Sequence, residues 1–191
     1  MPLTLDALTA NAEAVERLEW PFDFRTGADP GEPAWFTIDG AESFQSIGRD
    51  SSGGLFVVLP GSPRILLVSS EGQAGVVAAD FDAFITLIVI HPYWRSILKY
   101  SANGSLDQMR RAATVLEAAR AMLYDDEDEI DEARDFLKSQ LGLQDSADPV
   151  GALHRALTAS DVVVRTYGEP CGSLFNRFTV DDTPLLRDFI A

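Results

Sequence analysis

The stretch from Glu42 to Trp94 constrains the fold more than any other part of the chain. Four short apolar or alternating runs follow one another there, each closed by a tight polar turn. Residues 42–48 alternate, with Phe44, Ser46 and Gly48 on one side and Gln45 and Ile47 on the other. Residues 54–59 (GLFVVL) and 64–69 (RILLVS) are continuous apolar runs, as expected for inner strands of a covered sheet. Residues 74–79 (AGVVAA) make a fourth strand. The turns Ser51-Ser52-Gly53-Gly54, Pro60-Gly61-Ser62-Pro63 and Glu71-Gly72 are too short for crossovers, so neighbouring strands are antiparallel. Asp80 then caps a helix through about Ile90 that is apolar nearly all round and belongs buried on the sheet. Pro92 ends it, and Tyr93 to Tyr100 can form another turn or two.

Before this stretch, Leu5, Leu8, Ala12, Val15 and Leu18 fall at helical spacing over residues 3–20, with Thr4 as cap and Trp20-Pro21 as stop. Residues 21–33 hold three prolines and two glycines and read as loop, followed by a short strand at 34–38 (AWFTI). From Ser105 the character is helical. Ser105 and Gln108 form a capping box ahead of the stripe Met109, Ala112, Leu116, Ala119 and Leu123. A second helix spans about 127–141, with Ile130, Ala133, Leu137 and Leu141 inward and Gly142 as its stop. A third starts at Asp148-Pro149 and carries Val150, Leu153, Ala156 and Leu157. Residues 161–166 read as a strand, and Phe175, Phe178, Leu185 and Phe189 can dock the tail. The pattern predicts an α+β protein of one domain, 1–191. It has an N-terminal helix, a mainly antiparallel sheet of four to six strands covered by helices, and a mostly helical extension, 105–191, packed on a core of 1–104.

The net charge of −15 reads first as solubility in an acidic-proteome cytoplasm, and it also narrows the partners. Such a field repels phosphate backbones and anionic lipid and speeds encounter with a basic protein. The lone Cys171 cannot form an intramolecular disulfide, which fits a reducing compartment. Met1 to Ala14 has no basic leader pattern, and the longest apolar run, Phe84 to Ile90, is far short of a membrane span. A cytoplasmic protein is expected, bound to neither membrane nor nucleic acid.

No residue pattern demands catalysis, a metal or a cofactor. The two histidines, His91 and His154, are far apart, and His91 reads as a satisfied helix-end residue. The acidic run 125–132 lacks the alternating ligands and central glycine of a calcium loop; it reads as a solvated helix start, with a docking patch for a basic partner as the minor alternative. The glycine turn 48–54 matches no phosphate loop and suits a hairpin. No G-x-S-x-G elbow exists, and Cys171 has no signature pairing it with either histidine. Trp20 and Trp94 read as core, and Trp35, on a loop-flanked edge strand, as an interface residue. The candidate contact residues are therefore Trp35, Asp50, Asp125, Asp126, Glu127 and Asp128.

The stretch Ile47-Gly48-Arg49-Asp50-Ser51-Ser52-Gly53-Gly54-Leu55-Phe56, with Glu71-Gly72 and its following valines and with Phe81 and Phe84 opening a helix, resembles the core signature of the SUKH superfamily. The resemblance covers about residues 3–98. The segment Glu19 to Phe24 departs from the family's pattern after the first helix, and residues 105–191 have no counterpart in short members. It implies an N-terminal helix, a curved sheet and helices packed on it. It also implies a non-enzymatic protein that binds and blocks a toxin, often a nuclease, exchanged between competing bacteria. No partner-contacting residue carries over. The expected role is immunity, an acidic surface occluding a basic toxin's active site. The alternatives are a regulatory scaffold and a small-molecule binder, and the last predicts a deep pocket beneath the sheet.

Overall fold

The computed structural model describes residues 3–27, 34–123, 127–143 and 148–190. The architecture is α+β, with a five-stranded antiparallel sheet, a three-stranded sheet and helices. The four expected strands are present as β3 (Gln45–Arg49), β4 (Leu55–Val58), β5 (Ile65–Val68) and β6 (Ala74–Ala78). Together with β1 (Arg25–Thr26) they form the main sheet in the order β1-β3-β4-β5-β6. β2 (Phe36–Ile38) leaves it and pairs instead with β7 (Val164–Thr166), which continues into β8 (Glu169–Pro170).

The continuous apolar runs are explained by what covers the two faces. On one face Ile47, Phe56, Ile65, Leu67 and Val77 pack against helices. On the other, Leu55, Val57, Leu66, Val68 and Val76 pack against Phe36, Ile38 and Val164 of the small sheet. Alternating side chains thus enter two separate cores, and both must be apolar. Helices cover the first face; the second is covered mainly by a sheet built from segments far apart in the chain, with Ala156 of the later helix over 149–158 at its edge.

Cap chemistry sets most helix bounds. α1 (Leu5–Thr9) begins at Thr4, whose hydroxyl accepts from Ala7 N–H. The single helix expected over 3–20 is split, because Asn11 adopts extended backbone and caps α2 (Ala12–Glu19), accepting from Ala14 N–H at 3.1 Å. Asp80 caps α3 (Phe81–Ile90), buried among Phe84, Ile85, Leu87, Ile88 and Val89 as its composition predicts. α4 (Trp94–Lys99) follows. Ser105 caps α5 (Leu106–Ala118), but the reciprocal half of the box is missing: Gln108 Oε1 and the rest of its amide do not return to Ser105, whose N–H bonds to Ser101 O. After α6 (Arg120–Leu123), α7 (Glu127–Leu141) ends before Gly142 at φ +63°. Asp148 and Pro149 open α8 (Pro149–Thr158).

Residues after 105 pack directly on those before it. α8 lies on β6, with Leu157 so close to Gly75 that a Cβ there would come within 2.6 Å of it, and β7 completes the sheet begun by β2. The tail returns to the loop after α4, where Ala102 and Asn103 N–H groups bond to the carbonyls of Phe178 and Asn176. Leu174, Val180 and Leu186 are its buried anchors. Phe175 and Phe189 pack at the core's edge, whereas Phe178 and Leu185, expected to dock, are exposed. No helix among the described residues is long and apolar enough to cross a membrane.

Candidate interaction surface

Asp50 is the first of the expected contact residues, and it is not on the surface. It is 2% exposed. Its carboxylate accepts from Gly54 N–H at 2.7 Å and from Arg95 Nη2 at 2.5 Å. Arg95 in turn lies over the Trp94 ring, 5.0 Å from its centroid. Each glycine nearby has a steric reason. A Cβ on Gly54 would sit 2.6 Å from Asp50 Oδ2, and one on Gly48 would sit 2.4 Å from the Phe24 ring and 2.6 Å from Arg25 O. Phe24 cannot yield, because it is wedged edge-on against Phe56 and Phe84. Gly53, at φ +89°, makes the turn itself. Asp23 closes the other side by accepting from Ser51 N–H at 2.7 Å. The Gly48–Gly54 signature is a brace joining sheet to helix α4, and Asp50 is its hub.

The tryptophans divide differently from expectation. Trp94 is core, 3% exposed, as predicted; Trp20, also expected inside, is 61% exposed. Trp35 is half-buried, edge-on to Phe36 at 4.9 Å and resting on the small-sheet core. One step beyond the last β2–β7 pair, Phe36 with Thr166, the two chains carry Trp35 and Tyr167. Tyr167 is 98% exposed, with φ +52°, and Gly168 follows at +85°. Positive φ at both centre positions is the type I′ hairpin geometry, which favours Asn or Gly and strains a bulky side chain. Below the tip, Arg165 Nε bonds both oxygens of Asp39 (2.9 and 3.1 Å) and its Nη1 donates to Gly168 O at 3.3 Å. The base of the hairpin is therefore clamped while its aromatic tip stands in water. Sequence reasoning missed Tyr167; the Tyr-Gly pair after a β-branched run was its only local signal.

Of the acidic run, Asp125 and Asp126 lie outside the described residues. Asp128 is exposed in the first turn of α7, while Glu127 is half-buried and bonds Arg120 at 2.8 Å. Arg120 also reaches Asp131 at 2.7 Å. Burial works against the Arg120 charge, but the bonds to Asp131 and Glu127 outweigh it and hold its pKa above the ordinary arginine value. Among the described residues, nine arginines pair closely with carboxylates, and Arg155 makes a longer contact at 3.9 Å. Most of the positive charge is thus matched within the molecule, and the surplus facing solvent is carboxylate.

A second polar cluster lines an open groove of about 630 Å³ between His91, Tyr93, Glu117 and Arg134. Tyr93 donates its hydroxyl hydrogen to Glu117; burial, then that bond, raises its pKa well above the usual phenol range. His91 Nδ1 is buried with no hydrogen-bond partner, so the satisfied helix-end reading does not hold. Burial lowers its pKa, against an opposing pull from Glu117. Neither Cys171 nor His154 joins the cluster: Cys171 contacts Thr166 Oγ1 at 4.0 Å, and His154 Nε2 bonds Gly104 O at 2.9 Å. Among the described residues no group of three or more His, Cys, Asp and Glu could hold a metal ion. No family model, no curated protein and no solved structure matches the chain.

Proposed function

We propose that the protein acts without chemistry of its own, by binding a basic protein and occluding it, in the manner of an immunity protein. Tyr167 is the single observation that carries this reading. A tyrosine in left-handed backbone costs stability, and a fully exposed aromatic ring gains nothing from packing. Both costs make sense where the ring fills a partner's pocket as a rigid anchor, and Trp35 beside it supplies further apolar contact. The excess of solvent-facing carboxylate supports a basic partner, and the SUKH-like signature supports immunity as the role. A cytoplasmic location belongs to the same proposal, supported by the free Cys171. Co-expression with each toxin domain encoded beside the gene is the test. Rescue of growth and a complex whose affinity falls with added salt are expected, with Tyr167→Ala weakening binding by about tenfold or more. No rescue from any neighbouring toxin, or full affinity in Tyr167→Ala, would overturn it.

A further inference from the structure

A cavity of about 550 Å³ opens between β6, α3 and α8. It lies beside the tight approach of Leu157 to Gly75, where α8 touches the sheet. Next to that contact the walls are small: Ala79, Ala83, Ala152, Ala156 and Ala159, with Val76 and Leu87 behind them. The volume is in the range of small-molecule sites.

Small residues alone would say nothing of a ligand; Thr86 does. Three polar or charged residues are buried among the described residues: Asp50, Thr86 and Ser101. Asp50 and Ser101 are fully engaged in hydrogen bonds. Thr86, 7% exposed on α3, lines the cavity, and its hydroxyl has no partner among the described residues. Helical threonines elsewhere in the chain return their hydroxyl to a carbonyl one turn back, as Thr114 does to Arg110 O (3.2 Å) and Thr158 to His154 O (2.8 Å). The Thr86 oxygen is not one of the fully enclosed side-chain atoms left unpaired among the described residues, so it opens onto the cavity and is available to what enters it.

The rim supplies the sign of the ligand. Arg64 and Arg155 both line the cavity. Arg64 is committed to Asp161 at 2.9 Å, whereas Arg155, 68% exposed, has only a distant 3.9 Å contact with Asp148. Asp82 is the one carboxylate in the lining, and it accepts from Leu3 N–H. Each of the two guanidiniums at the mouth stands near one carboxylate, and Arg155, whose contact is the longer, is the one left open to an anion.

We infer that this cavity binds a small apolar carboxylate, its acyl or aryl body against the alanine wall and Thr86, its head group at Arg155 and Arg64. The site is independent of the protein–protein role and stands or falls apart from it. Decanoate, titrated below its micelle concentration by calorimetry and followed through the Thr86 methyl resonance, is the probe, with decyltrimethylammonium as its cationic counterpart. Saturable one-to-one binding of decanoate, a shift of the Thr86 signal and no saturable binding of the cation are expected. Arg155→Glu changes an exposed side chain and should weaken decanoate by about tenfold or more. Ala152→Leu keeps helix propensity and fills the space, so it should abolish binding with an unfolding temperature no lower than the parent's. If Ala152→Leu does not fold, Arg155→Glu carries the test alone. The inference is overturned by absent saturation with decanoate, octanoate and 4-phenylbutyrate alike, by equal affinity in Arg155→Glu, or by binding of the cation as tight as that of the carboxylate.

Discussion

Two hairpin turns in this molecule use positive φ in opposite ways. The turn from Asp50 to Gly54 is anchored from within: the Asp50 carboxylate, the N–H groups of Asp50, Ser51, Gly53 and Gly54 and the arginine that meets Asp50 are paired, and Gly54 and Gly48 make room for Asp50 and Phe24. The turn at Tyr167-Gly168 faces outward, puts a bulky residue where glycine or asparagine would be relaxed, and surrounds the ring with water. In the first, strain is avoided and polar groups are satisfied, the pattern of a structural brace. In the second, strain is kept with no packing in return, which is what the proposed role of Tyr167 as a partner anchor would require.

The comparison breaks most sharply at Asp50. Asp50→Ala removes the acceptor for Gly54 N–H and Arg95 together, and we expect a loss of about 3 kcal/mol in urea unfolding, the scale of buried charge-assisted bonds. A change below about 1 kcal/mol would mean the turn is not a brace. Gly48→Ala should cost about 2 kcal/mol through overpacking, since the new methyl meets Phe24 and a backbone carbonyl and neither can retreat. Replacing Phe24 with leucine in the same chain should recover part of that loss.

The Gly48–Gly54 hairpin was legible in the sequence; its role as a brace and the outward turn were not. Strands β3 to β6, α3, α7 and α8 follow from short-range signals: apolar runs, glycine turns, Asp80 and Asp148 as caps, Gly142 as stop. The second sheet depends on pairing residues that are distant in sequence, as the Asp39–Arg165 bond across 126 positions shows, and three-residue strands carry too little pattern to announce a partner. For the same reason Asp50 reads as a polar turn residue until Arg95 is brought against it, and Trp20 reads as core until α2 ends beside open solvent. The cavity was illegible too: Ala156 has the spacing of an ordinary core position, and only the geometry of α8 on β6 leaves it unfilled.

His91 is a polar group that the brace's logic does not reach, and its pH dependence measures the difference. Burial lowers its pKa in the folded chain below the ordinary value near 6.5. Between the two values the unfolded chain holds more protons, so stability is full above about pH 6.5 and declines as pH falls toward the folded pKa, levelling off below it. One proton limits the slope to about 1.4 kcal/mol per pH unit. Urea midpoints from pH 7.5 to 5 should therefore fall in the parent and be flatter in His91→Phe. An unchanged slope in that variant would assign the effect to another group.

The smallest change in stability is the most telling, because its sign separates the two turns. Tyr167→Asn installs Asn-Gly, the dipeptide type I′ hairpins favour, at a ring that touches nothing. Relief of left-handed strain should raise stability by about 1 kcal/mol. The same substitution at a structural tyrosine would lower it. If the ring is an anchor, the more stable variant is also the weaker binder, and growth rescue declines while the unfolding midpoint rises. A variant that is more stable and still binds fully would leave Tyr167 without a role in recognition. A variant that is less stable would show that the exposed ring contributes to the hairpin after all, and the contrast between the two turns would collapse.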